Sequence, residues 1–182
     1  VNKFYETRIS STVVDLSGAE ITKEGITAEK VEIAKDYKKP AEERSYPVFI
    51  FHAEGNPEAV ESYIFPMYGA GLWDAIWGYV ALDENMVVQG AYFDHKGETP
   101  GLGANIKQRF FMDDFIGEHL LSDGGVFKGI TVAKGNADPK NDDKTDNEVD
   151  AIAGATITGD GVSAMIRSDL KLYVPYFTNL KQ

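Results

Sequence analysis

The stretch that decides the fold is 71-GLWDAIWGYVALDENMVVQGAYFDHKG-97. Residues 71–82 and 86–97 are two runs of branched and aromatic residues. Asp83-Glu84-Asn85 joins them, with the length and chemistry of a short hairpin loop. Along the first run Trp73, Ala75, Trp77 and Tyr79 point one way, and Leu72, Ile76, Val80 and Leu82 point the other. A strand apolar on both faces reads as central, with cover on each side. Trp77 belongs to that core, and Asp74 marks where the strand meets solvent.

Outward from the hairpin, "YPVFIFHAEG" (46–55) is a strand with Pro47 at its start, where a missing N–H is tolerated. "VESYIFPMYG" (60–69) is another, interrupted by Pro66. Residues 23–37 place Ile26, Val31, Ile33 and Ala34 near helical spacing, which predicts a short amphipathic helix. Residues 104–122 have helical content ended by Gly124-Gly125, and 126–134 reads as a strand. Residues 135–150 form a polar, acidic, turn-rich surface loop. From Val162, Met165, Ile166, Leu170 and Tyr173 a helix of about three turns is expected, starting near residues 159–162 and stopped or kinked by Pro175. Strands come together first, with helices between and after them. That order predicts an α+β fold with a mostly antiparallel sheet. Residues 1–45 are read as an N-terminal extension packed on a domain at 46–182.

The totals bound the function. The chain has 182 residues and a formal net charge of −11. That balance disfavours nucleic acid and anionic membrane surfaces as partners, since both need basic patches. There is no cysteine, so disulfides, thiolate metal sites, cysteine-ligated clusters and thiol nucleophiles are excluded. His52, His95 and His119 lack ligand spacing, and no metal site is expected. The acidic loop does not fit the EF-hand pattern. No strand–Gly-x-Gly-x-x-Gly–helix unit or P-loop is present. No apolar run reaches the roughly 18 residues of a membrane span. The chain begins at Val1 and not at Met, so a trimmed or processed product is expected, with an anchoring segment upstream.

Three stretches carry the candidate chemistry. In "GETPGLG" (97–103), Thr99-Pro100-Gly101-Leu102 reads as a type II turn with Gly101 at positive φ. It is either a tight connection or a place where a flat ligand meets bare backbone, with Glu98 and Thr99 at its edge. In "YGAGLWD" (68–74), a glycine bend precedes Leu72 and Trp73, which can wall a planar-ligand pocket. In "DAIAGATITGDG" (150–161), Thr156 and Thr158 precede the C-terminal helix. The residues alone allow Thr158 as an N-cap with Gly154 as a turn. On composition alone that capping reading comes first; the residues also allow a phosphate on the helix N-terminus, with Gly154 and Ala155 leaving it room.

Taken together, "GLWDAIWGYVAL", "GETPGLG" and "DAIAGATIT" resemble the FMN-binding domain family of the C subunit of Na+-translocating NADH:quinone reductases, shared with the G subunit of the Rnf complex. The resemblance runs from about residue 46 to the C-terminus, and the Gly-Leu-Trp stretch points to the quinone-reductase branch. It implies covalent FMN, its phosphate esterified to the threonine of a motif close to Asp-Gly-x-Ser/Thr-Gly-Ala-Thr. Here that motif is residues 150–156, and the acceptor is Thr156. Leu72 and Trp73 would lie against the isoalloxazine. Glu98, Thr99 and Leu102 would line the ring and ribityl chain, with Gly101, Gly154, Ala155 and Thr158 beside them. Two positions depart from the motif: Ala153 stands for Ser or Thr, and Ala151 for Gly. The resemblance further implies a metal-dependent flavin transferase for maturation and other subunits of the reductase as electron partners. It also implies one N-terminal membrane helix that places this domain on the periplasmic side of the inner membrane. The alternatives are an Rnf-type flavin subunit and a cofactor-free extracytoplasmic binding or assembly domain.

Overall fold

The computed structural model describes residues 2–136 and 138–182. Val1, in the N-terminal extension, and Ala137, in the acidic loop, lie outside the described residues. In chain order the elements begin with α1 (Asn2–Arg8) and β1 (Ile9–Val14), then the short α2 (Ile33–Asp36). β2 (Tyr46–Ala53), β3 (Asn56–Ala70), β4 (Ala75–Leu82) and β5 (Val88–His95) follow. After them come α3 (Arg109–Asp114), β6 (Thr131–Val132), β7 (Glu148–Val149), α4 (Thr156–Lys171) and α5 (Val174–Leu180).

The first five strands form one antiparallel meander in the order β1-β2-β3-β4-β5, so the fold is α+β as the sequence predicts. β6 and β7 add a two-residue parallel pair. The hairpin of 71–97 is present, but narrower than its apolar runs. Residues 71–74 form a bend, and β4 begins at Ala75. Asp83 turns the chain by accepting the N–H groups of Asn85 and Val87 on Oδ1.

The expectation of a doubly covered central β4 is corrected: β3 holds the middle, and β4 is next to the edge. Ile76, Val80 and Leu82 are buried in the core, whereas Tyr79 on the other face is 44% exposed and Trp77 half-buried. The inner face gains most of its burial from aromatics. Phe65 is fully buried, and its ring lies 4.4 Å from Tyr173 and 5.4 Å from Phe177. Each such ring contributes about 1.5–3 kcal/mol by leaving water.

Pro66 is accommodated inside β3 because the β2–β3 ladder ends at Phe49–Ile64. The N–H that proline lacks would face an edge with no strand partner. Tyr68, two residues on and facing the same edge, donates its N–H to Asp169 Oδ2 of α4 at 2.9 Å. A carboxylate thus stands in for the absent strand. Burial raises the Asp169 pKa to about 6, against the lowering effect of the Tyr68 and Ser168 hydrogen bonds.

Other expectations are also corrected. Residues 23–37 form a 3-10 turn at Ala28–Lys30 and one turn of α2, because Gly25 sits at φ +82° and few apolar side chains there reach the core. Residues 104–122 hold only a 3-10 turn and α3. Phe115 then folds back onto Phe93 and Phe111, and Gly117 at φ +88° ends the helical course. The strand expected at 126–134 shrinks to Thr131–Val132. The C-terminal helix stops ahead of Pro175 as expected, but α4 runs 16 residues to Lys171. Pro175 then lies in the first turn of a further, unexpected helix, α5, where its missing N–H costs nothing. Among the described residues no helix is long and apolar enough to cross a membrane.

Candidate functional site

The site is the place where the bend before β4, the turn after β5 and the start of α4 meet. Its origin lies in two glycines. Gly154 adopts φ +71°, and the N–H of Ala155 bonds the carbonyl of Ile152 at 3.0 Å. This turn launches α4 at Thr156, earlier than the expected start at residues 159–162. Gly101 adopts φ +76°, and the N–H groups of Leu102 and Ala104 both reach the Thr99 carbonyl at 3.1 Å. The type II turn read from Thr99-Pro100-Gly101-Leu102 has that bond and that glycine.

Between these turns lies a cleft of about 250 Å3, lined by Leu72, Glu98, Thr99, Leu102 and Gly103 on one side and residues 154–158 on the other. Eight of the residues singled out by sequence meet here: Leu72, Glu98, Thr99, Leu102, Gly154, Ala155, Thr156 and Thr158. Gly101 supports the turn from behind. Trp73 stands outside the lining, 68% exposed, with its indole Nε1–H donating to Thr99 Oγ1 at 3.2 Å. That bond ties the two loops together at the mouth.

The two threonines separate sharply. Thr156 is the first residue of α4 and exposed. Thr158 is 1% exposed and donates its hydroxyl to Glu98 Oε2 at 2.5 Å. The reading of Thr158 as helix cap is therefore corrected. The N-cap is Ala155, which has no side-chain bond to offer, and Thr158 sits inside the first turn. The first N–H returned to a helix carbonyl is that of Gly159, to Ala155 at 2.9 Å. By helix geometry the amides of Thr156, Ile157 and Thr158 have no carbonyl of their own turn to meet. They point toward the cleft end of the helix, where the macrodipole is positive.

Glu98 is the other buried polar group, at 4% exposure. Its Oε1 accepts the Trp73 N–H at 3.0 Å, and its own N–H donates to His95 Nδ1 at 3.1 Å. Burial works against its charge. The Thr158 hydroxyl and the amides of Trp73, Leu72 and Asp74 outweigh that and hold the carboxyl below the ordinary range.

Sequence reasoning missed Gly103 and Ile157. A Cβ on Gly103 would stand 2.6 Å from Glu98 Oε2 and also strike the Thr158 hydroxyl. A Cβ on Gly71 would meet the Glu98 carboxyl carbon at 2.8 Å. The glycines at 71 and 103 are therefore the room in which Glu98 sits. Their spacing around Leu72 and Leu102 was visible, but their common neighbour was not. Ile157, 57% exposed at the start of a helix, had only its misplaced apolarity as a signal.

A phosphorylated planar ligand fits this set. Three free amides and a bare turn at Gly154 suit a phosphate without Lys or Arg. Leu72 and Leu102, 44% and 40% exposed, offer apolar walls to a ring. Among the described residues no cluster of His, Cys, Asp or Glu could hold a metal ion.

A family model described as the FMN-binding domain matches residues 71–171, from the glycine bend to the end of α4. This chain belongs to the FMN-binding domain family. Similar curated proteins are named as the C subunit of Na(+)-translocating NADH-quinone reductase. That of Yersinia pestis is 34% identical over 89% of this chain and 64% of its own length. That of Neisseria meningitidis serogroup A is 30% identical over 100% of this chain and 74% of its own length. The chain spans only 44% of the Chlamydia muridarum relative, at 39% identity. The C subunit from Parabacteroides distasonis has a solved structure with TM-score 0.79 and 33% identity, covering 97% of this chain and 81% of that one. Shewanella oneidensis NqrC gives TM-score 0.82 at 25% identity, covering 99% and 87%. The resemblance drawn from the three motifs is borne out, and the family member is an FMN-binding domain of the C-subunit type.

Proposed function

We propose that this chain is the electron-relay domain of a Na+-translocating NADH:quinone reductase, with FMN esterified through its phosphate to Thr156. The carrying observation is the position of Thr156. Its exposed side chain begins α4 at the cleft, beside three amides free to take a phosphate charge. A phosphodiester keeps one negative charge, which helix-terminal N–H groups can satisfy in a chain of net charge −11. Bound FMN would supply reversible electron transfer, and this protein supplies place and polarity. Leu72 and Leu102 bind the ring's apolar surface, Thr99 offers a hydroxyl at the mouth, and Gly154 lets the phosphate approach the main chain. Covalent attachment answers the openness of the cleft, which a partner needs for close approach.

The relatives' name further supports a role as one subunit of an oxidoreductase complex. On this reading the chain has no complete activity alone, is matured by a flavin transferase, and stands on the periplasmic side behind an N-terminal anchor. The test is mass spectrometry of the chain coexpressed with an exported transferase. One FMN ester on the peptide holding Thr156 is expected. An unmodified Thr156 under those conditions sinks the proposal and favours a cofactor-free binding domain of the same fold.

A further inference from the structure

We propose that Glu98 is a positioning residue of this site: its carboxylate ties the bend at residues 71–74 to the start of α4 and places a buried negative charge on the cleft wall that opposes reduction of a bound flavin. The proposal rests on the flavin reading of the cleft for its second half, and on geometry alone for its first.

The geometry is a clamp between distant parts of the chain. Oε1 takes the Trp73 N–H at 3.0 Å, and Oε2 takes the Thr158 hydroxyl at 2.5 Å. Trp73 belongs to the bend at the cleft mouth and Thr158 to the first turn of α4, and among the described residues no main-chain hydrogen bond joins the 71–74 bend to α4. A short bond to an ionised oxygen is the stronger kind. The packing around it is as specific as the bonding. Side chains at either Gly71 or Gly103 would run into the carboxylate. Gly161 lets α4 approach the same bend from below, since a Cβ there would strike the carbonyl of Ala70. Two glycines thus leave space for the carboxylate, and a third lets α4 come close to the bend.

The charge is not neutralised by a cation. Among the described residues no ion pair includes Glu98. His95 meets its main-chain N–H through Nδ1 acting as acceptor. In the same bend Asp74 is exposed and paired with Lys96 at 3.0 Å. The balance of dipoles keeps the carboxyl ionised at neutral pH. A fixed anion in a half-dry cleft acts on a neighbouring group far more than it would in water. Each electron added to a ring beside it is disfavoured, so the midpoint potential is held down.

Glu98→Gln separates charge from shape. The amide oxygen can still accept from Trp73, and the amide N–H2 can donate to a Thr158 hydroxyl turned to accept. In the flavinylated chain we expect this variant to keep its fold by circular dichroism and its adduct on Thr156, with a midpoint potential shifted positive. In flavin-free protein, Glu98→Ala should speed hydrogen exchange at the Trp73 amide by about tenfold or more, the loss of one hydrogen bond to a charged group. An unshifted potential in Glu98→Gln overturns the electrostatic half. A Trp73 amide exchanging at the parent rate in Glu98→Ala overturns the clamp. Should Glu98→Ala not fold, Thr158→Val keeps the charge and removes one donor, and carboxyl 13C titration should show the Glu98 pKa rising. An unchanged value there overturns the clamp as well. A parent chain with no adduct on Thr156 is a failure of the flavin reading, and the exchange measurement still decides the clamp.

Discussion

Two buried glutamates stand at opposite ends of β5 and behave oppositely. Glu98 follows the strand's last residue, His95, by three positions. The main-chain carbonyl of Glu118 accepts the N–H of its first residue, Val88, at 2.9 Å. Both side chains are withdrawn from water, at 4% and 0% exposure. Glu98 has a donor on each oxygen and is held below the ordinary carboxyl range. Neither oxygen of Glu118 has a hydrogen-bond partner among the described residues. Burial raises its pKa to about 7. Asn141 Nδ2 and Lys144 Nζ each turn a donor to the carbonyl of Asp114, at 2.7 and 2.8 Å, and Lys144 stands 3.6 Å from Glu118. From there both only partly offset the cost of burial. Burial sets what a charge costs, and the placement of donors decides whether it survives. Donors have been gathered at the cleft end and not at the other.

The hardest way to break the comparison is at the cleft. Thr156→Ala removes the proposed ester oxygen from an exposed position. Flavin adduct should fall to nothing in gel fluorescence of denatured protein, with the melting temperature within about a degree of the parent. A Thr156→Ala protein that keeps covalent flavin would move the attachment elsewhere. Gly103→Val is next. Its side chain enters the space of the Glu98 carboxylate and the Thr158 hydroxyl, so the clamp must open. Overpacking of this kind costs about 1–3 kcal/mol. For a domain of this size it lowers the melting temperature by several degrees, and the adduct yield should fall with it.

These residues show where the sequence was legible. The hairpin, the antiparallel sheet and the turn at Thr99-Pro100-Gly101-Leu102 follow from local patterns, because alternation and turn chemistry are properties of neighbours. Pro175 was readable for the same reason. The start of α4 was not. Apolar periodicity begins at Val162, but Gly154 begins the helix by backbone conformation alone. The partnership of Glu98 with Thr158 joins residues sixty apart, and Thr158 looked like a cap because caps are the commonest local use of a threonine there. The pairing of β6 with β7 rests on two residues in each strand, too few for a period to show. The 104–122 segment carried helical composition, and the cluster of Phe93, Phe111 and Phe115 overrode it.

At the far end the comparison is sharpened by Glu118→Gln. The folded pKa is raised, so the protonated carboxyl stabilises the fold. That stability is fully present below about 4.5, the ordinary value, and is lost as pH rises through about 7. The glutamine variant cannot ionise. It should be more stable than the parent at pH 8, on the order of 1 kcal/mol, and should flatten the parent's loss of stability between those values in urea titrations. Glu98 has the opposite sign. Its depressed pKa stabilises the fold above the ordinary value, and that contribution disappears as pH falls below it. A parent whose stability is flat from pH 4.5 to 7 would contradict the reading of Glu118.

The smallest effect is expected at Ala153, where the motif departs from its family pattern. Ala153 is exposed, beside the turn at Gly154 that launches α4. Ala153→Ser adds one hydroxyl at this surface position, so its effect on stability should stay within about 0.5 kcal/mol. On the proposed flavin reading, the hydroxyl would add a donor for the phosphate, or for a transferase holding it, where three helix-terminal amides are already placed to serve. The geometry therefore predicts a modest rise in the fraction of chain carrying flavin under limiting transferase, and no rise when transferase is in excess. A large rise at saturation would mean that the amides of Thr156, Ile157 and Thr158 are not enough to hold the phosphate. That would shift the weight of the site from the helix terminus to the turn before it.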